Sequence, residues 1–279
     1  MKYGICHLSV IPVRRVSTDT SEMVSQLLFG ETFEIISKRK GWGRIRCLHD
    51  NYEGWIDLKQ CLPISENDLQ EIQSGSYFSL ELVQPAMSER HYVPVLIGSN
   101  LPAYDGMNFK LNGSSYTFSG QVINPAETEV DIEHLIKIAR KYLYAPYLWG
   151  GRSPFGLDCS GFVQVVYKMI GIKMNRDANQ QVYQGELIDF IDEVKPGDLA
   201  FFKNSKGRVV HVGIILPEGQ IIHASGQVRI DKLDHFGIFN ESEGRYTHEL
   251  RVVKRVLPNS ESSGYALPEK HQVEQNSLF

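Results

Sequence analysis

Hydrophobic and polar residues alternate in short runs along the first half of the chain. From Lys2 to about Pro63 these runs are CHLSVIPV, LLFGETFEIISK, GWGRIRCL and NYEGWIDL. Short strands between glycine-marked turns predict a small all-β barrel or sandwich. The segment SENDLQEIQ, residues 65–73, predicts a helix with Ser65 at its N-cap. Two further strand-like segments, HYVPVLIGSNLPAY and GSSYTFSGQVI, predict a second small β domain that ends near Ile123.

The periodicity changes from strand-like to helical after Asn124-Pro125. Apolar residues recur at helical spacing over residues 131–142 and again over residues 160–169. The segments DLAFF, RVVHVGIIL, GQIIHAS and LRVVKRVL then predict strands, and helices followed by antiparallel strands indicate an α+β domain. We therefore predict four parts: residues 1–63, residues 64–126 with a helical linker and the second β domain, residues 127–257, and a C-terminal tail of residues 258–279.

Composition and charge exclude several classes of protein. The chain has 279 residues with 29 Lys and Arg against 33 Asp and Glu, a formal net charge of −4, so it lacks the basic character of a general nucleic-acid binder. No uncharged apolar run approaches the length of a membrane span, and the N-terminus lacks the apolar core of a secretory signal, which predicts a cytoplasmic protein. The four cysteines contain no C-x-x-C pair, and no P-loop or G-x-G-x-x-G segment occurs, so we expect no metal and no cofactor.

The segment PYLWGGRSPFGLDCSGFVQVVYK, residues 146–168, contains the clearest candidate for chemistry. A loop rich in glycine and proline is followed by Asp158 in a cap position and by Cys159 at the start of the helical stripe. Unpaired backbone N–H groups and the helix dipole favour a thiolate at such a place. The sequence therefore predicts that Cys159 is a nucleophile rather than a buried structural thiol.

A cysteine nucleophile needs a base, and two histidines flank a predicted hairpin turn. Alternation along RVVHVGIIL puts His211 on the strand face that it shares with Gly213, where space is open. A register centred on Pro217 pairs His211 directly with His223, so that one imidazole acts as the base and the other orients it. The chain has no G-x-S-x-G elbow, so the neighbouring serines are not predicted nucleophiles.

These motifs together resemble a known family. The segments YLWGG-RSPFG-LDCSGF, KPGDLAFF, HVGII and IIHASG are similar, in composition and order, to the NlpC/P60 family of papain-like cell-wall peptidases over residues 128–257. The resemblance implies a papain-like catalytic domain with Cys159 as nucleophile, His211 as base and His223 as the orienting group. It also implies that Tyr147 supports the oxyanion hole together with backbone N–H groups at the helix start.

The whole chain resembles the γ-D-glutamyl-L-diamino acid endopeptidases that carry two N-terminal bacterial SH3-like domains. In that subgroup the first SH3-like domain narrows the cleft, so that only stem peptides with a free N-terminal L-Ala are accepted. The resemblance implies that Tyr52 of NYEGW, Glu22 of the first domain and Asp158 hold the substrate amine. The other substrate-binding positions that it implies are Ser160, Asp177 and Trp149, the last as a wall of the cleft.

The resemblance implies a cysteine endopeptidase that cuts the γ-D-Glu–meso-diaminopimelate bond of murein stem peptides during cytoplasmic recycling of wall fragments. An amidase or acyltransferase with the same triad is the nearest alternative, and a non-catalytic peptidoglycan-binding protein is a second one. The intact set of Cys159, His211 and His223 disfavours the non-catalytic alternative. The sequence leaves open the diamino acid at the third position of the peptide and the oligomeric state.

Overall fold

The computed structural model of the chain describes residues 2–73, 75, 77–127, 131–189 and 193–257. The predicted C-terminal tail, residues 258–279, lies outside the described residues. The strands and helices fall into three consecutive groups along the chain. None of the helices in the described part of the chain combines the length and the apolar character needed to cross a bilayer.

The first group contains seven strands: β1 (Tyr3–Cys6), β2 (Val10–Arg14), β3 (Met23–Leu28), β4 (Thr32–Arg39), β5 (Trp42–Cys47), β6 (Glu53–Asp57) and β7 (Cys61–Ile64). They form one antiparallel sheet in the order β3-β2-β6-β5-β4-β1-β7, and a 3-10 helix, Leu58–Gln60, leads into β7. Two of the predicted strands are each divided in two by a turn. One division lies at Gly30, which has a φ of 76° and packs so closely that a Cβ would lie 2.1 Å from the Asn100 carbonyl oxygen.

The second group begins with α1 (Glu66–Gln73), which confirms the predicted helix, since the Asp68 N–H donates to Oγ of Ser65 at 3.1 Å. Its strands are β8 (Tyr77–Ser79), β9 (Val83–Met87), β10 (Tyr92–Leu96), β11 (Asn100–Leu101), β12 (Asn108–Leu111), β13 (Ser114–Thr117) and β14 (Val122–Ile123). They form two small sheets, β10-β9-β13-β12 and β11-β8-β14. Strands β8, β9 and β12 were not predicted. In β9 most side chains are exposed or half-buried and Pro85 interrupts the alternation, so the pattern is weak there.

The third group consists of α2 (Ile132–Lys141), β15 (Arg152–Ser153), β16 (Gly156–Leu157), α3 (Cys159–Met169), α4 (Ala178–Gln181), β17 (Glu186–Ile188), β18 (Leu199–Lys203), β19 (Val209–Leu216), β20 (Gln220–Ser225), β21 (Gln227–Leu233), β22 (Gly237–Asn240) and β23 (Arg245–Arg255). Its main sheet has the order β17-β23-β18-β19-β20-β21-β22. An additional pairing of β22 with β23 joins the six strands from β18 to β23 into a closed ring. Both predicted helices are present, so the predicted α+β architecture is confirmed. The predicted domain boundaries stay predictions.

α3 is the central helix of the molecule. All eleven of its residues are buried, and it shares a core with β19 and β20 that includes Val163, Ile214 and Ile222. Its far end contacts the first group, because Nζ of Lys168 donates to Oε1 of Glu31 at 2.6 Å. This packing from both sides holds the helix that begins at the cysteine.

The register predicted for the hairpin of β19 and β20 is wrong: the centre of the turn lies one residue further along the chain, which moves every cross-strand partner by two residues. The two strands are joined by a three-residue loop centred on Glu218 rather than on Pro217. His223 therefore lies opposite Gly213 and not opposite His211. The centre of the turn depends on a backbone conformation, the left-handed φ of 62° at Glu218, which residue types alone do not reveal.

Candidate active site

The loop before α3 holds the start of the helix. Asp158 is its N-cap: Oδ1 accepts a hydrogen bond from the Gly161 N–H at 2.7 Å, and Oδ2 accepts one from the Gly150 N–H at 2.8 Å. A Cβ on Gly161 would lie 2.3 Å from the Gly151 carbonyl oxygen, so only glycine lets the loop pack this closely. The glycines on either side of the cap thus place Cys159 at the first position of the helix.

Burial dominates the protonation of the Cys159 thiol. Burial and then the charge of Asp158 raise the pKa of the thiol to about 12, whereas the backbone N–H groups of Val212 and Ser160 lower it by less. The expectation that the helix start favours a thiolate is therefore corrected for the substrate-free chain, in which the thiol is protonated. The hydrogen bond from the Val212 N–H also places the thiol against β19, one residue along the chain from His211.

His211 and His223 form a hydrogen-bonded pair although they are not directly opposed. Nε2 of His211 lies 2.9 Å from Nδ1 of His223, and the ring planes are 85° apart. Gly213 makes room for this diagonal contact, since a Cβ there would lie 2.9 Å from Cβ of His223. Nδ1 of His211 makes no hydrogen bond to any residue that the structure describes, so it is the atom available to the thiol of Cys159.

Asp231, which was not predicted from the sequence, sets the tautomers of this pair. Its Oδ2 lies 2.9 Å from Nε2 of His223, and Nη2 of Arg229 donates to its Oδ1 at 2.8 Å. Burial opposes the charge of Asp231, but the hydrogen bonds from His223 and Arg229 keep its pKa below the usual value, so it accepts. His223 must then donate from Nε2 and accept the Nε2–H of His211 at Nδ1. The lone pair of neutral His211 is therefore on Nδ1.

Aromatic side chains enclose the histidine pair. His248 stacks on His211 with ring centroids 4.2 Å apart, and the Phe202 ring lies 5.7 Å away. Burial, and then the neighbouring imidazoles, lower the pKa of His211 well below its usual value. Burial likewise lowers the pKa of His223 and brings that of His248 to about 4. All three imidazoles are therefore neutral at neutral pH, as a general base requires.

The thiol of Cys159 borders a cavity of about 400 Å³. His211 follows Val210, a lining residue, and lies buried behind the cavity. Burial and then the charge of Cys159 raise the pKa of Tyr147 to about 12, so the Tyr147 phenol lies close to the thiol. The predicted site residues that line the cavity directly are Glu22, Tyr52, Trp149, Asp158, Cys159, Ser160 and Asp177.

Two of the three carboxylates in this cavity already have cationic partners. Asp158 accepts hydrogen bonds from both terminal nitrogens of Arg176, at 2.9 and 2.7 Å, so a buried guanidinium neutralises it. Glu22 accepts a hydrogen bond from the indole N–H of Trp149 at 2.7 Å and pairs with Arg15 at 2.6 Å. Each of these two carboxylates is therefore compensated before any substrate binds.

Asp177 is the carboxylate of the cavity that lacks a cation, since it makes no ion pair within the described part of the chain. Burial raises its pKa, and the nearby Arg176 and a hydrogen bond with Tyr52 offset only part of that effect. Burial and then Asp177 raise the pKa of Tyr52 to about 12, so the phenol stays a donor. A half-buried carboxylate of this kind is stabilised by an added cation.

Two further residues of the site were not predicted from the sequence: Asp231 and His248. A signal for Asp231 exists, because the turn at Gly226 implies a second hairpin in which Asp231 lies diagonally across from His223. His248 has no comparable signal, since its position depends on how β23 pairs with β22 at the far end of the sheet.

Comparisons with known proteins add an independent line of argument. Residues 144–243 match the NlpC/P60 family, and residues 13–60 match the bacterial dipeptidyl-peptidase SH3 domain. The gamma-D-glutamyl-L-lysine dipeptidyl-peptidase of Bacillus cereus is 27% identical over an alignment of 261 residues, and the match covers 81% of this chain and 75% of that protein. The protein of the same name from Bacillus subtilis is 28% identical, over 84% of this chain and 81% of that protein.

A crystal structure of an NlpC/P60 family protein from Bacillus cereus has the same fold. It superposes with a TM-score of 0.79 at 20% identity, covering 92% of this chain and 100% of the other. The superposition and the two matches confirm an N-terminal SH3-like all-β region and a C-terminal NlpC/P60 domain. Cys159, His211 and His223 lie within the matched 144–243, and their individual roles stay predictions. The chain therefore joins a bacterial dipeptidyl-peptidase SH3 domain to an NlpC/P60 domain, which is the domain composition of a hydrolase of the peptidase class.

Proposed function

We propose that the chain hydrolyses the bond between γ-D-Glu and meso-diaminopimelate in murein stem peptides that begin with a free L-Ala. One observation carries the proposal: the cavity of Cys159 contains Asp177, a half-buried carboxylate without a cationic partner among the described residues. A free α-ammonium supplies that cation, whereas an acylated amine does not. The name shared by the two Bacillus relatives, gamma-D-glutamyl-L-lysine dipeptidyl-peptidase, supports a substrate with a γ-D-glutamyl bond.

The first group of strands limits how much peptide precedes the scissile bond. Tyr52 and Glu22 come from that group and line the same cavity as Cys159. The hydrogen bond between Trp149 and Glu22 ties the loop before α3 to this wall. The bounded cavity of about 400 Å³ has room for two residues such as L-Ala and γ-D-Glu rather than for a longer chain.

In the proposed reaction Sγ of Cys159 attacks the γ-carbonyl carbon, and the thiol proton moves to Nδ1 of His211. His223 accepts the Nε2–H of His211, and Asp231 stabilises the charge that develops on the pair. The oxyanion faces backbone N–H groups at the start of α3 and the phenol of Tyr147. The C–N bond then breaks and His211 returns the proton to the departing amine. Water hydrolyses the thioester, which releases L-Ala-γ-D-Glu and regenerates the thiol.

The test compares kcat/KM for L-Ala-γ-D-Glu-meso-diaminopimelate and for its N-acetyl form, with products identified by mass spectrometry. We expect cleavage of the γ bond in the free peptide and a fall of about 10²-fold or more on acetylation, because Asp177 then lacks a counter-charge. Tyr52→Phe removes one hydrogen bond and should cost about tenfold at most. Cys159→Ala should abolish cleavage without preventing folding.

Asp177→Asn tests the recognition of the amine directly. It should lower kcat/KM for the free peptide, so that the kcat/KM values for the free and the acetylated peptide become similar. The matched control is Glu133→Gln, at an exposed acid of α2, which should change neither value. Equal cleavage of free and acetylated peptide by the wild-type chain would contradict recognition of the N-terminus. Failure to cleave either peptide would contradict the reaction itself. Action in cytoplasmic recycling stays a prediction from the sequence.

A further inference from the structure

A second cavity opens beside the catalytic one and shares part of its wall. Its volume is about 1160 Å³, and Asn179, Val209 and Val210 line both cavities. The rest of its lining comes from the segment after α4, from β17, from the loop before β19 and from β23. Among the described residues that line it, none belongs to the first group of strands. The second cavity therefore lies on the side of the catalytic cavity away from Tyr52.

The lining of this second cavity carries cations that have no acidic partner among the described residues. Arg208, Arg251 and Lys254 line it, together with one acidic residue, Asp189. Across the described ranges of the chain, none of these three cations makes an ion pair. The adjacent Arg255 shows the contrast, because Asp198 neutralises it at 2.8 Å. We name this second cavity the basic groove.

The chemistry of the departing group matches the basic groove. Cleavage at γ-D-Glu leaves a diamino acid on the side of the bond away from the amine site, and the basic groove adjoins the catalytic cavity on that side. A lysine side chain ends in an ammonium group with a charge of +1, whereas diaminopimelate ends in an ammonium and a carboxylate that cancel at neutral pH. Unpaired guanidinium and ammonium groups repel the first and bind the carboxylate of the second.

We propose that the basic groove binds the carboxylates of the departing diamino acid and so selects diaminopimelate over lysine at the third position of the peptide. This selection rests on the proposed function, since it requires cleavage of the γ-D-Glu bond. Apolar surface for the methylene chain is available beside the cations, because Val210 and Leu187 line the same groove and are both about half exposed. The basic groove therefore combines an apolar surface with positively charged side chains.

The experiment measures kcat/KM for two tripeptides, L-Ala-γ-D-Glu-meso-diaminopimelate and L-Ala-γ-D-Glu-L-Lys, with the full chain. We expect wild type to prefer the diaminopimelate peptide by about tenfold, from several partly exposed charges acting together. The double variant Arg208→Gln/Arg251→Gln should reduce the preference to about twofold, mainly by raising KM for that peptide. The matched control is Arg90→Gln, at an exposed arginine of the second group, which should keep the wild-type ratio.

Salt supplies a second readout that needs no variant. Because the groove cations are partly exposed, raising the salt concentration should shrink the wild-type preference. Equal kcat/KM values for the two peptides in wild type, or a ratio that the double variant leaves unchanged, would overturn the role of the groove while leaving the peptidase reaction in place. Failure to cleave either peptide would overturn the reaction and the groove's role together.

Discussion

The proton on His211 is placed by a chain of hydrogen bonds that ends at Asp231. In Asp231→Asn, Arg229 keeps the amide oxygen as its acceptor, so the amide NH₂ group faces Nε2 of His223. His223 then carries its proton on Nδ1 and donates it to Nε2 of His211. His211 must therefore carry its own proton on Nδ1, so the lone pair that would take the thiol proton is no longer available. We expect kcat to fall by about 10²- to 10⁴-fold with little change in KM or Tm. Steady-state kinetics and thermal unfolding measure these quantities.

Arg229→Gln is the matched control for that substitution. It removes the cation beside Asp231 but leaves the carboxylate, so the tautomers stay as they are and kcat should fall by less than about tenfold. If Asp231→Asn lowers Tm while the kcat of the folded molecules is unchanged, Asp231 has a structural role and does not position the proton.

Cys159 should react as a protonated thiol in the substrate-free chain, because burial raises its pKa to about 12. Its thiolate fraction, and with it the rate of alkylation, should rise about tenfold per pH unit between about pH 6 and about pH 9. Cys159 lines a cavity, so iodoacetamide should label it before the fully buried Cys6. Peptide mapping by mass spectrometry measures both rates. A rate that is flat over this range would instead indicate a preformed thiolate–imidazolium pair.

At the scale of elements, β19 and β20 bring the two histidines together only because Gly213 has no side chain. A Cβ there would lie 2.7 Å from Cδ1 of Ile221, which can move, and 2.9 Å from Cβ of His223, which is fixed to the backbone of β20. Gly213→Ala should therefore push β20 outward and lengthen the contact between the imidazoles. We expect kcat to fall by at least about tenfold, measured by steady-state kinetics. A wild-type kcat would show that the pair tolerates the displacement.

Features that depend on neighbouring residues could be predicted from the sequence, and features that depend on distant ones could not. α3, its cap Asp158 and the placement of Cys159 follow from a few adjacent positions, so pattern and residue type suffice. The register of the histidine hairpin depends on the backbone at Glu218, and moving the centre of the turn by one residue changes every cross-strand pair. His248 reaches the site through the pairing of β22 with β23 that closes the sheet, which no local periodicity encodes.

The substrate-binding residues were predicted as a group, but their electrostatic states were not. Glu22 and Asp158 line the cavity as the resemblance implied, yet Arg15 and Arg176 already neutralise them. Asp177 is left as the uncompensated acid only because the fold brings no cation within ion-pair distance among the described residues. The net charge at a site depends on which side chains the fold brings together. Sequence motifs therefore identify the acidic residues but not which of them has a cationic partner.

For the whole molecule, buried and half-buried neutral histidines make the fold sensitive to mild acid: the three of the active site, together with His49, whose pKa burial lowers to about 3, and His7, whose pKa burial also lowers. Burial lowers the pKa values of His211 and His223 below 6.5 and brings that of His248 to about 4. The unfolded chain takes up these protons near its ordinary values, whereas the folded chain does so only at lower pH, so acidification favours unfolding. Between about pH 7 and about pH 5 we expect the free energy of unfolding in urea to fall by at least about 1 kcal/mol. His248→Asn should make that fall smaller, and an equal fall in both chains would contradict the assignment.

A buried group of charges joins the first group of strands to the catalytic helix. Glu31 accepts hydrogen bonds from Arg152 at 2.7 and 2.9 Å and from Lys168 at 2.6 Å, and all three side chains are 3% exposed. Burial acts to raise the pKa of Glu31, but Arg152 and then Lys168 outweigh it and hold that pKa well below the usual range. Arg152 also donates to the Gln26 carbonyl at 2.6 Å, in the strand β3 whose start borders the cavity.

Glu31→Gln leaves two buried cations without their counter-charge, so we expect the free energy of unfolding to drop by about 3–5 kcal/mol. The matched control is Glu34→Gln on β4, whose ion pairs at 3.2 and 3.4 Å are partly exposed and should be worth less than about 1 kcal/mol. Because Glu31 no longer neutralises Arg152 where the loop before α3 meets β3, the molecules that stay folded should also discriminate less between free and N-acetylated tripeptide. Urea unfolding and kcat/KM for the two peptides measure both effects. Equal stability of the two variants would show that the buried charges do not hold the cavity wall.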